Sequence, residues 1–283
     1  MLYMSLAMAM WAIIDHIPGF FTQRYTTFEI VWLRYSVHLV FMLVVFGPRV
    51  QMRLVRTRRL GLQLLRGLLM MAMHLSFIFA IKYISFKETM AGFWVAPLLL
   101  LGLSAWWGEK SSKVQWAITL LAFGCIMLIL RPLNGLLHPA TLLSIGMALC
   151  FAIYMQMTRA MSGEDLLASL FYTALTVWVI LSVLMPFYWV TPNGWDMLLF
   201  VAIGLLGFVC LYGFDKAAEV APTWKSAPFA MIQPIYLIGI DFGLRGINPG
   251  RLSLAAAGLV IACFGLLTWR NKNLRTNTEV PHV

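Results

Sequence analysis

The sequence contains few charged residues for its length. Only 11% of its 283 residues are Asp, Glu, Lys or Arg, whereas a soluble domain carries about a quarter. Hydrophobic residues make up 61% of the chain, and the mean hydropathy is +0.83. This scarcity of charge excludes an ordinary soluble globular domain and indicates a protein embedded in a lipid bilayer.

Motifs typical of several other functional classes are also missing. The sequence has no Gly-x-x-x-x-Gly-Lys-Ser/Thr loop, so we do not expect ATP bound by this chain to supply energy. Its four cysteines lie singly in apolar runs and its five histidines form no cluster, so we expect neither a metal nor another cofactor. The net charge of +10 comes from Lys and Arg in short gaps between apolar runs, which reflects membrane topology rather than nucleic-acid binding.

Long apolar runs are what the sequence does contain. About 20 mostly apolar residues are needed to cross a hydrocarbon core of about 30 Å as a helix. The first run has no preceding basic region and no cleavage site, so we expect it to be a retained helix rather than a signal peptide. The sequence predicts ten transmembrane helices: Leu2–Phe21, Phe28–Gly47, Gly61–Ile81, Thr89–Trp107, Val114–Leu130, Thr141–Arg159, Leu166–Trp189, Trp195–Lys216, Ser226–Leu244 and Leu252–Trp269.

A pattern of small residues and prolines recurs in both halves of the chain. A shift of 137 residues aligns four pairs: Gly67 with Gly204, Ala80 with Ala217, Pro97 with Pro234, and Gly102 with Gly239. Paired apolar segments interrupted by Gly or Pro are typical of transporters built from repeats. Five helices per half place the two halves in opposite orientations. We therefore predict an all-α membrane protein with two inverted five-helix repeats, 1–136 and 137–270, followed by a tail, 271–283.

The distribution of Lys and Arg predicts how the protein lies in the membrane. The connection between the second and third runs holds the densest basic stretch: Arg49, Arg53, Arg56, Arg58 and Arg59. Cytoplasmic loops carry an excess of basic residues. The bias predicts that both termini, including the tail, are cytoplasmic.

Three ionisable residues lie at a similar depth in the first three runs. Asp15, Arg34 and His74 are each about seven residues from the outer end of their run, or roughly 10 Å deep at 1.5 Å per residue. Ionisable groups inside a membrane are costly and mark functional sites by default. We interpret them as a polar layer in a central cavity, in which Arg34 pairs with a carboxylate of Asp15 or of the substrate. The alternative is that Asp15 and Arg34 form a structural ion pair and that His74 bridges helices.

Four further residues are candidates for substrate contact. Trp94, Tyr154 and Tyr172 have aromatic rings that can stack on a planar or cationic substrate, although each can equally be a packing residue. Gln233 carries an amide in a proline-interrupted run, where it binds substrate or satisfies backbone groups that the proline frees.

Two prolines are candidate hinges, and one carboxylate is a candidate gate. Pro97 and Pro234 occupy equivalent positions in the two halves, and proline bends a helix where alternating access needs flexible points. Asp241 lies near the outer end of the ninth run and is a candidate gate. Arg245 is one turn later, so a simple salt bridge is the alternative reading of Asp241.

Several short motifs follow one another in a recognisable order. They are Arg66, Ala80–Ser85, Ala96–Leu98, Gly108–Glu109, Leu130–Pro132, Ala152–Tyr154, Thr158–Arg159, Phe171–Tyr172, Ala227–Phe229 and Gln233. This order resembles the EamA-type branch of the drug/metabolite transporter superfamily. Asp15 and Arg34 match a subgroup whose members carry S-adenosylmethionine, riboflavin or related metabolites. The resemblance implies ten helices and the inner membrane of a bacterium.

These observations predict a secondary transporter that moves a small polar metabolite, such as S-adenosylmethionine, riboflavin or an amino acid, by alternating access. An exporter of amino acids or toxic metabolites with the same fold is the first alternative. A membrane-embedded enzyme is a poorer one, because Asp15 and Asp241 are the only acidic residues expected inside the runs. A channel-like structural bundle is the third. The expected partners are the substrate, the lipid bilayer and a coupling proton or exchange substrate, with no nucleic acid, in a monomer or homodimer.

Overall fold

The computed structural model describes residues 1–15, 24–109, 111–130 and 138–276. All regular secondary structure in these residues is helical. A short 3₁₀ helix covers Gln51–Leu54 in the first half. The α-helices are α1 Leu2–Asp15, α2 Thr27–Val45, α3 Gly47–Val50, α4 Leu60–Tyr83, α5 Phe86–Phe93, α6 Ala96–Trp106, α7 Lys113–Leu130, α8 Thr141–Ala160, α9 Leu166–Ser182, α10 Met185–Tyr188, α11 Gly194–Val220, α12 Thr223–Ala230, α13 Gln233–Arg245 and α14 Arg251–Thr276.

Polar side chains mark the points where several of these helices begin. Thr26 precedes α2 and Asp165 precedes α9, and each side chain accepts a hydrogen bond from a backbone N–H in the first turn. Asn193 does the same for α11. Ser85 and Glu88 form a reciprocal capping box at the start of α5. These side chains satisfy backbone donors that a helix start leaves free, and they fix where each apolar segment begins.

Within the described residues, eight helices are long and apolar enough to cross a membrane, counting α5 with α6 and α12 with α13 as single segments. Two more apolar helices, α1 and α9, are shorter, with 14 and 17 residues. The predicted run Leu2–Phe21 continues beyond α1 into residues 16–23, which lie outside the described residues. The run Leu166–Trp189 is divided, because α9 ends at Ser182 and Pro186 opens the separate helix α10. The all-helical membrane class is confirmed, and ten spans remain a prediction.

Two of the apolar segments are broken at equivalent places. Helix α5 ends just before Pro97, which lies in the first turn of α6, and α12 ends just before Pro234, which lies in the first turn of α13. Proline has no backbone N–H, so it is tolerated where a helix starts and disrupts one that continues. The two prolines aligned by the 137-residue shift therefore both lie at interruptions of a helix.

Helices of the first half pack mainly on helices of the second. Helix α1 packs on α11 as α4 packs on α8, and α2 packs on α11 as α9 packs on α4. Helices α5 and α6 pack on α8, as α12 and α13 pack on α1. The main pairings are thus preserved when the two halves are exchanged.

Two aligned glycines make the closest of these contacts possible. A Cβ at Gly67 would lie 2.5 Å from Thr176 Cβ of α9, and a Cβ at Gly204 would lie 2.5 Å from Val37 Cβ of α2. No real Cβ tolerates such a distance, so each glycine allows one helix to approach its neighbour closely. The sequence pair Gly67 and Gly204 therefore has the same packing role in both halves.

Candidate functional site

A small cavity lies among α1, α2 and α4, and Asp15, Arg34 and His74 all contribute to its wall. Apolar side chains complete the lining, including Trp11 of α1 and Ile203 of α11. The space open to the centre of a water-sized sphere is about 30 Å³, enough for about two water molecules. The residues that the sequence places in one layer thus meet at one cavity, which in this conformation is too small for a metabolite.

Asp15 is tied to the second half of the protein. The Gln233 side chain donates a hydrogen bond of 2.7 Å from Nε2 to Asp15 Oδ2, and both residues are buried. Gln233 is the first residue of α13, directly before Pro234. Its Oε1 has no hydrogen-bond partner among the described residues. The helix break therefore supplies an amide that orients the Asp15 carboxylate.

Arg34 is half-buried and lies at the cavity without a polar partner in the described part of the chain. Its guanidinium approaches the ring of Tyr35 at 5.8 Å from the centroid and lies against Gly207 of α11. No ion pair with Asp15 occurs among the described residues. The carboxylate and the guanidinium thus share a cavity but are held by different neighbours.

The hydrogen bonds of His74 determine which of its two ring nitrogens carries the proton. Its Nδ1 lies 2.8 Å from the backbone oxygen of Met70 and 3.3 Å from the hydroxyl of Tyr35. A carbonyl oxygen only accepts, so Nδ1 carries the proton in the bond to Met70. In the neutral ring, Nε2 is then an acceptor, able to receive a hydrogen bond from an N–H or O–H group.

A second polar cluster is centred on Arg66 of α4 and Asp215 of α11. Arg66 Nη2 donates to Asp215 Oδ2 at 2.7 Å and to the Tyr154 hydroxyl at 2.8 Å, and that hydroxyl donates to Asp215 Oδ1 at 2.5 Å. Arg66 Nη1 donates to Gln63 at 3.1 Å, and Gln63 donates to Ser169 at 2.9 Å. All five side chains are buried, and the cluster joins α4, α8, α9 and α11.

Sequence reasoning missed this cluster. The expectation that Asp15 and Asp241 are the only acidic residues inside the spans was wrong. The sequence places Asp215 next to the last residue of a run that stops at Lys216. Helix α11 continues to Val220, and Asp215 is fully buried. Glu29 is also buried, in the first turn of α2. The signal available in the sequence was Arg66, an arginine inside an apolar run, where a charge requires a partner.

A third group of polar side chains lies near the start of α12, toward the end of the bundle predicted to be cytoplasmic. The Thr223 hydroxyl is 2.5 Å from Gln156 Oε1, 2.6 Å from the Ser104 hydroxyl and 3.3 Å from Glu109 Oε2. Glu109 Oε1 lies 3.7 Å from Arg159 Nε. These contacts join α6, α8 and α12, so they connect the two halves of the chain.

The remaining candidate residues lie away from the cavity wall. Trp94 is fully buried, and its Nε1 has no partner among the described residues. Tyr154 belongs to the Arg66 cluster, and the Tyr172 hydroxyl donates to the backbone oxygen of Val55 at 2.7 Å. Asp241 borders a separate cavity of about 430 Å³ that Lys87 also lines. The side chain of Arg245 lies outside the described residues, so the proposed salt bridge remains a prediction.

The N-terminal ends of α2 and α11 are joined through Asp196. Its Oδ2 accepts hydrogen bonds from the Tyr25 hydroxyl at 2.6 Å and from the Asn193 amide at 3.0 Å, and it lies 3.5 Å from Arg24 Nη1. Burial of the Tyr25 ring raises the pKa of its hydroxyl, and the hydrogen bond to the Asp196 carboxylate raises that pKa further. Tyr25 therefore stays protonated and donates to Asp196 at neutral pH.

The apolar helices and the buried polar groups between them define an all-helical integral membrane protein. In the described part of the chain, no group of three or more His, Cys, Asp or Glu side chains is placed to hold a metal ion. Residues 1–131 match the EamA-like transporter family, so this part of the chain is an EamA domain, and the resemblance predicted from the sequence is confirmed.

Curated relatives match over most of the chain. A riboflavin transporter of Vibrio cholerae is 26% identical over 230 residues, which cover 80% of this chain and 77% of that protein. An S-adenosylmethionine uptake transporter of Rickettsia prowazekii is 25% identical over 259 residues, covering 87% of this chain and 86% of the relative. The family and these relatives are named as transporters rather than enzymes.

A solved crystal structure of another protein shares the fold. It aligns with a TM-score of 0.82 at 16% sequence identity and covers 96% of this chain and 97% of the other. The fold is therefore shared over nearly the whole chain, including the second half, which lies beyond the family match.

Proposed function

We propose that this protein is a secondary transporter for a small polar metabolite and that the cavity lined by Asp15, Arg34 and His74 is its substrate site. The main support for this proposal is the set of polar side chains that line the cavity. It combines a carboxylate, a guanidinium without a polar partner among the described residues, and an imidazole between helices of a membrane bundle. Such groups are costly in a membrane and occur where a polar substrate or water is bound.

Gln233 completes this site by orienting Asp15. Tyr154 acts through Arg66 and Asp215 rather than by direct contact. Trp94 and Tyr172 lie outside the cavity wall, so we assign them packing and loop-anchoring roles in this conformation.

Alternating access between two halves explains how a closed cavity of about 30 Å³ admits a metabolite. The support is the exchange symmetry of the helix pairings and the matched breaks before Pro97 and Pro234. We propose inverted repeats over 1–136 and 137–270, ten transmembrane helices, and a tail of 271–283. The hydrogen-bonded group around Thr223 then closes the cytoplasmic side and separates when that side opens.

The substrate is a metabolite of the class that the relatives carry, with S-adenosylmethionine, riboflavin and amino acids as the first probes. Energy comes either from a proton carried on Asp15 or from exchange for a second metabolite. We place the protein in a bacterial inner membrane with both termini in the cytoplasm, because the arginines before α4 follow the excess of positive charge typical of cytoplasmic loops. An exporter of amino acids or toxic metabolites would use the same site in the opposite direction.

Counterflow in proteoliposomes tests the proposed function. Vesicles containing the purified protein are loaded with an unlabelled probe, and the same probe is added outside in labelled form. A carrier accumulates label transiently above the equilibrium level, and its initial rate saturates. Flux that neither saturates nor shows counterflow would identify a channel instead. Chemical conversion of the probe without transport would favour the membrane-enzyme alternative.

A further inference from the structure

The environment of Arg34 narrows the chemistry of the substrate. Asp15 receives its hydrogen bond from Gln233 and is not joined to Arg34 by an ion pair among the described residues. The buried Arg66 is different, because Asp215 and Tyr154 both bind its guanidinium. Arg66 is thus paired with a carboxylate, whereas Arg34 lies at a cavity without a polar partner among the described residues. Arg34 therefore has donors free for a planar anionic group.

Gly207 of α11 determines where the Arg34 guanidinium lies. A Cβ at position 207 would be 2.8 Å from Arg34 Nε, 3.1 Å from Nη2 and 3.3 Å from Cζ. The clash is with the end of a flexible side chain, so the guanidinium rather than the helix would move. Because Gly207 has no side chain, it leaves the space beside α11 that the Arg34 guanidinium occupies at the cavity.

We propose that Arg34 binds a carboxylate group of the transported metabolite and that Gly207 is the positioning residue that keeps its guanidinium in place. A carboxylate accepts two parallel hydrogen bonds from a guanidinium. A hydroxyl in place of the carboxylate does not reproduce this geometry, and neither does a lysine ammonium in place of the guanidinium. This inference rests on the proposed function. It also separates the substrates named for the relatives, since S-adenosylmethionine carries a carboxylate and riboflavin carries none.

Equilibrium binding to the purified full-length protein in detergent tests the inference. The probes are S-adenosylmethionine, its decarboxylated analogue, which lacks only the carboxylate, and riboflavin. The variants are Arg34→Gln, Arg34→Lys and Gly207→Ala. Gly213→Ala is the matched control on the same helix, because its Cβ would lie 2.9 Å from Ala7 Cβ and 3.0 Å from the backbone oxygen of Tyr3, away from Arg34.

We expect the wild-type protein to prefer S-adenosylmethionine over the decarboxylated analogue by roughly 10- to 100-fold, the value of a hydrogen-bonded charge. Arg34→Gln should remove the preference, and Arg34→Lys and Gly207→Ala should reduce it. Gly213→Ala should lower the melting temperature and leave the preference intact. The ratio of the two affinities is insensitive to a general loss of folded protein.

Equal binding of the two analogues by the wild-type protein would overturn the inference, as would an unchanged preference in Arg34→Gln. Binding and counterflow of riboflavin alone, with no effect of Arg34→Gln, would also overturn it while leaving the proposed transporter function intact. A preference lost equally in Gly207→Ala and Gly213→Ala would remove the role of Gly207.

Discussion

Two regions of this bundle each contain an arginine and an aspartate, but only in one of them are the two hydrogen-bonded to each other. At the cavity, Asp15, Arg34 and His74 face a common space, and Arg34 has no polar partner among the described residues. In the second cluster, Arg66 and Asp215 are bonded to each other and to Tyr154 and are almost fully buried. Each region holds one arginine and one aspartate, with His74 beside them at the cavity and Tyr154 in the cluster.

This difference in pairing assigns the Arg66 cluster to the stability of the bundle and the cavity to the binding of a ligand. A buried charge without its partner is strongly destabilising, so the Arg66 cluster must stay intact for the bundle to hold together. A charge at a cavity can instead be satisfied by water or by a ligand. The comparison predicts that changes in the Arg66 cluster alter stability and that changes at Arg34 alter binding.

The largest effect is expected in the buried cluster. Asp215→Ala leaves the Arg66 charge without its counter-ion and should destabilise the protein by about 3–5 kcal/mol. Thermal unfolding in detergent, followed by tryptophan fluorescence, measures the change. The double variant Arg66→Met, Asp215→Leu is the control, and it should recover most of the loss because both charges are removed together. A single variant as stable as the wild type would show that the pair is not needed for the fold.

At the cavity the order of effects should reverse. Arg34→Gln should change stability by less than about 1 kcal/mol, because no hydrogen-bond partner among the described residues is left unpaired. Initial uptake of a carboxylate-bearing probe at low concentration should fall roughly 10- to 100-fold. Uptake and melting temperature measured on the same preparation distinguish the two effects. A large loss of stability with uptake retained would make Arg34 the structural residue and reverse the comparison.

The end of the bundle where α2 and α11 begin offers a smaller test of burial. Tyr25→Phe removes the hydroxyl that donates to Asp196 and should cost about 1–2 kcal/mol. Because the pKa of Tyr25 is raised in the folded protein, its contribution is complete below the usual tyrosine pKa of about 10. It is lost as the pH rises through the folded-state pKa.

Unfolding measured between neutral and strongly alkaline pH shows this dependence. The wild-type protein should lose stability relative to Tyr25→Phe above about pH 10. Arg24→Gln is the companion variant, since Arg24 is 66% exposed in its 3.5 Å contact with Asp196, and it should cost less than about 1 kcal/mol. Parallel pH curves for the wild type and Tyr25→Phe would argue against the hydrogen-bond assignment.

The smallest effect is expected where the connection between α3 and α4 meets the connection between α8 and α9 at the surface. Arg53 Nη2 lies 3.1 Å from Asp165 Oδ2, but the Arg53 side chain is 76% exposed. Such a pair contributes about 0–1 kcal/mol. Arg53→Gln should therefore leave unfolding almost unchanged, and added salt should have little effect on that difference. A loss comparable to that of Asp215→Ala would show that exposure does not set the ranking.

Much of the fold was predictable because membrane helices are constrained by length. Apolar runs gave nearly all the long helices, and a count of 1.5 Å per residue placed Asp15, Arg34 and His74 at a shared depth. The aligned pairs Pro97 with Pro234 and Gly67 with Gly204 coincide with helix breaks and close contacts.

The partners of the polar residues were not predictable in the same way. A one-dimensional count says how deep a side chain lies but not which helix it faces. Gln233 with Asp15 and Arg66 with Asp215 join residues more than a hundred positions apart. Asp215 was missed because a few residues at the end of a helix decided whether it was exposed or buried.

Counterflow of S-adenosylmethionine by the wild-type protein and by Asp15→Asn and His74→Ala tests most directly whether the cavity is the substrate site. Melting temperatures measured on the same samples, with Gly213→Ala as a packing control, show which variants remain folded. We expect counterflow in the wild type, a reduced rate in Gly213→Ala only in proportion to folded protein, and loss of counterflow in both cavity variants at unchanged folding. Full counterflow in folded Asp15→Asn and His74→Ala would contradict the account and place the substrate elsewhere in the bundle.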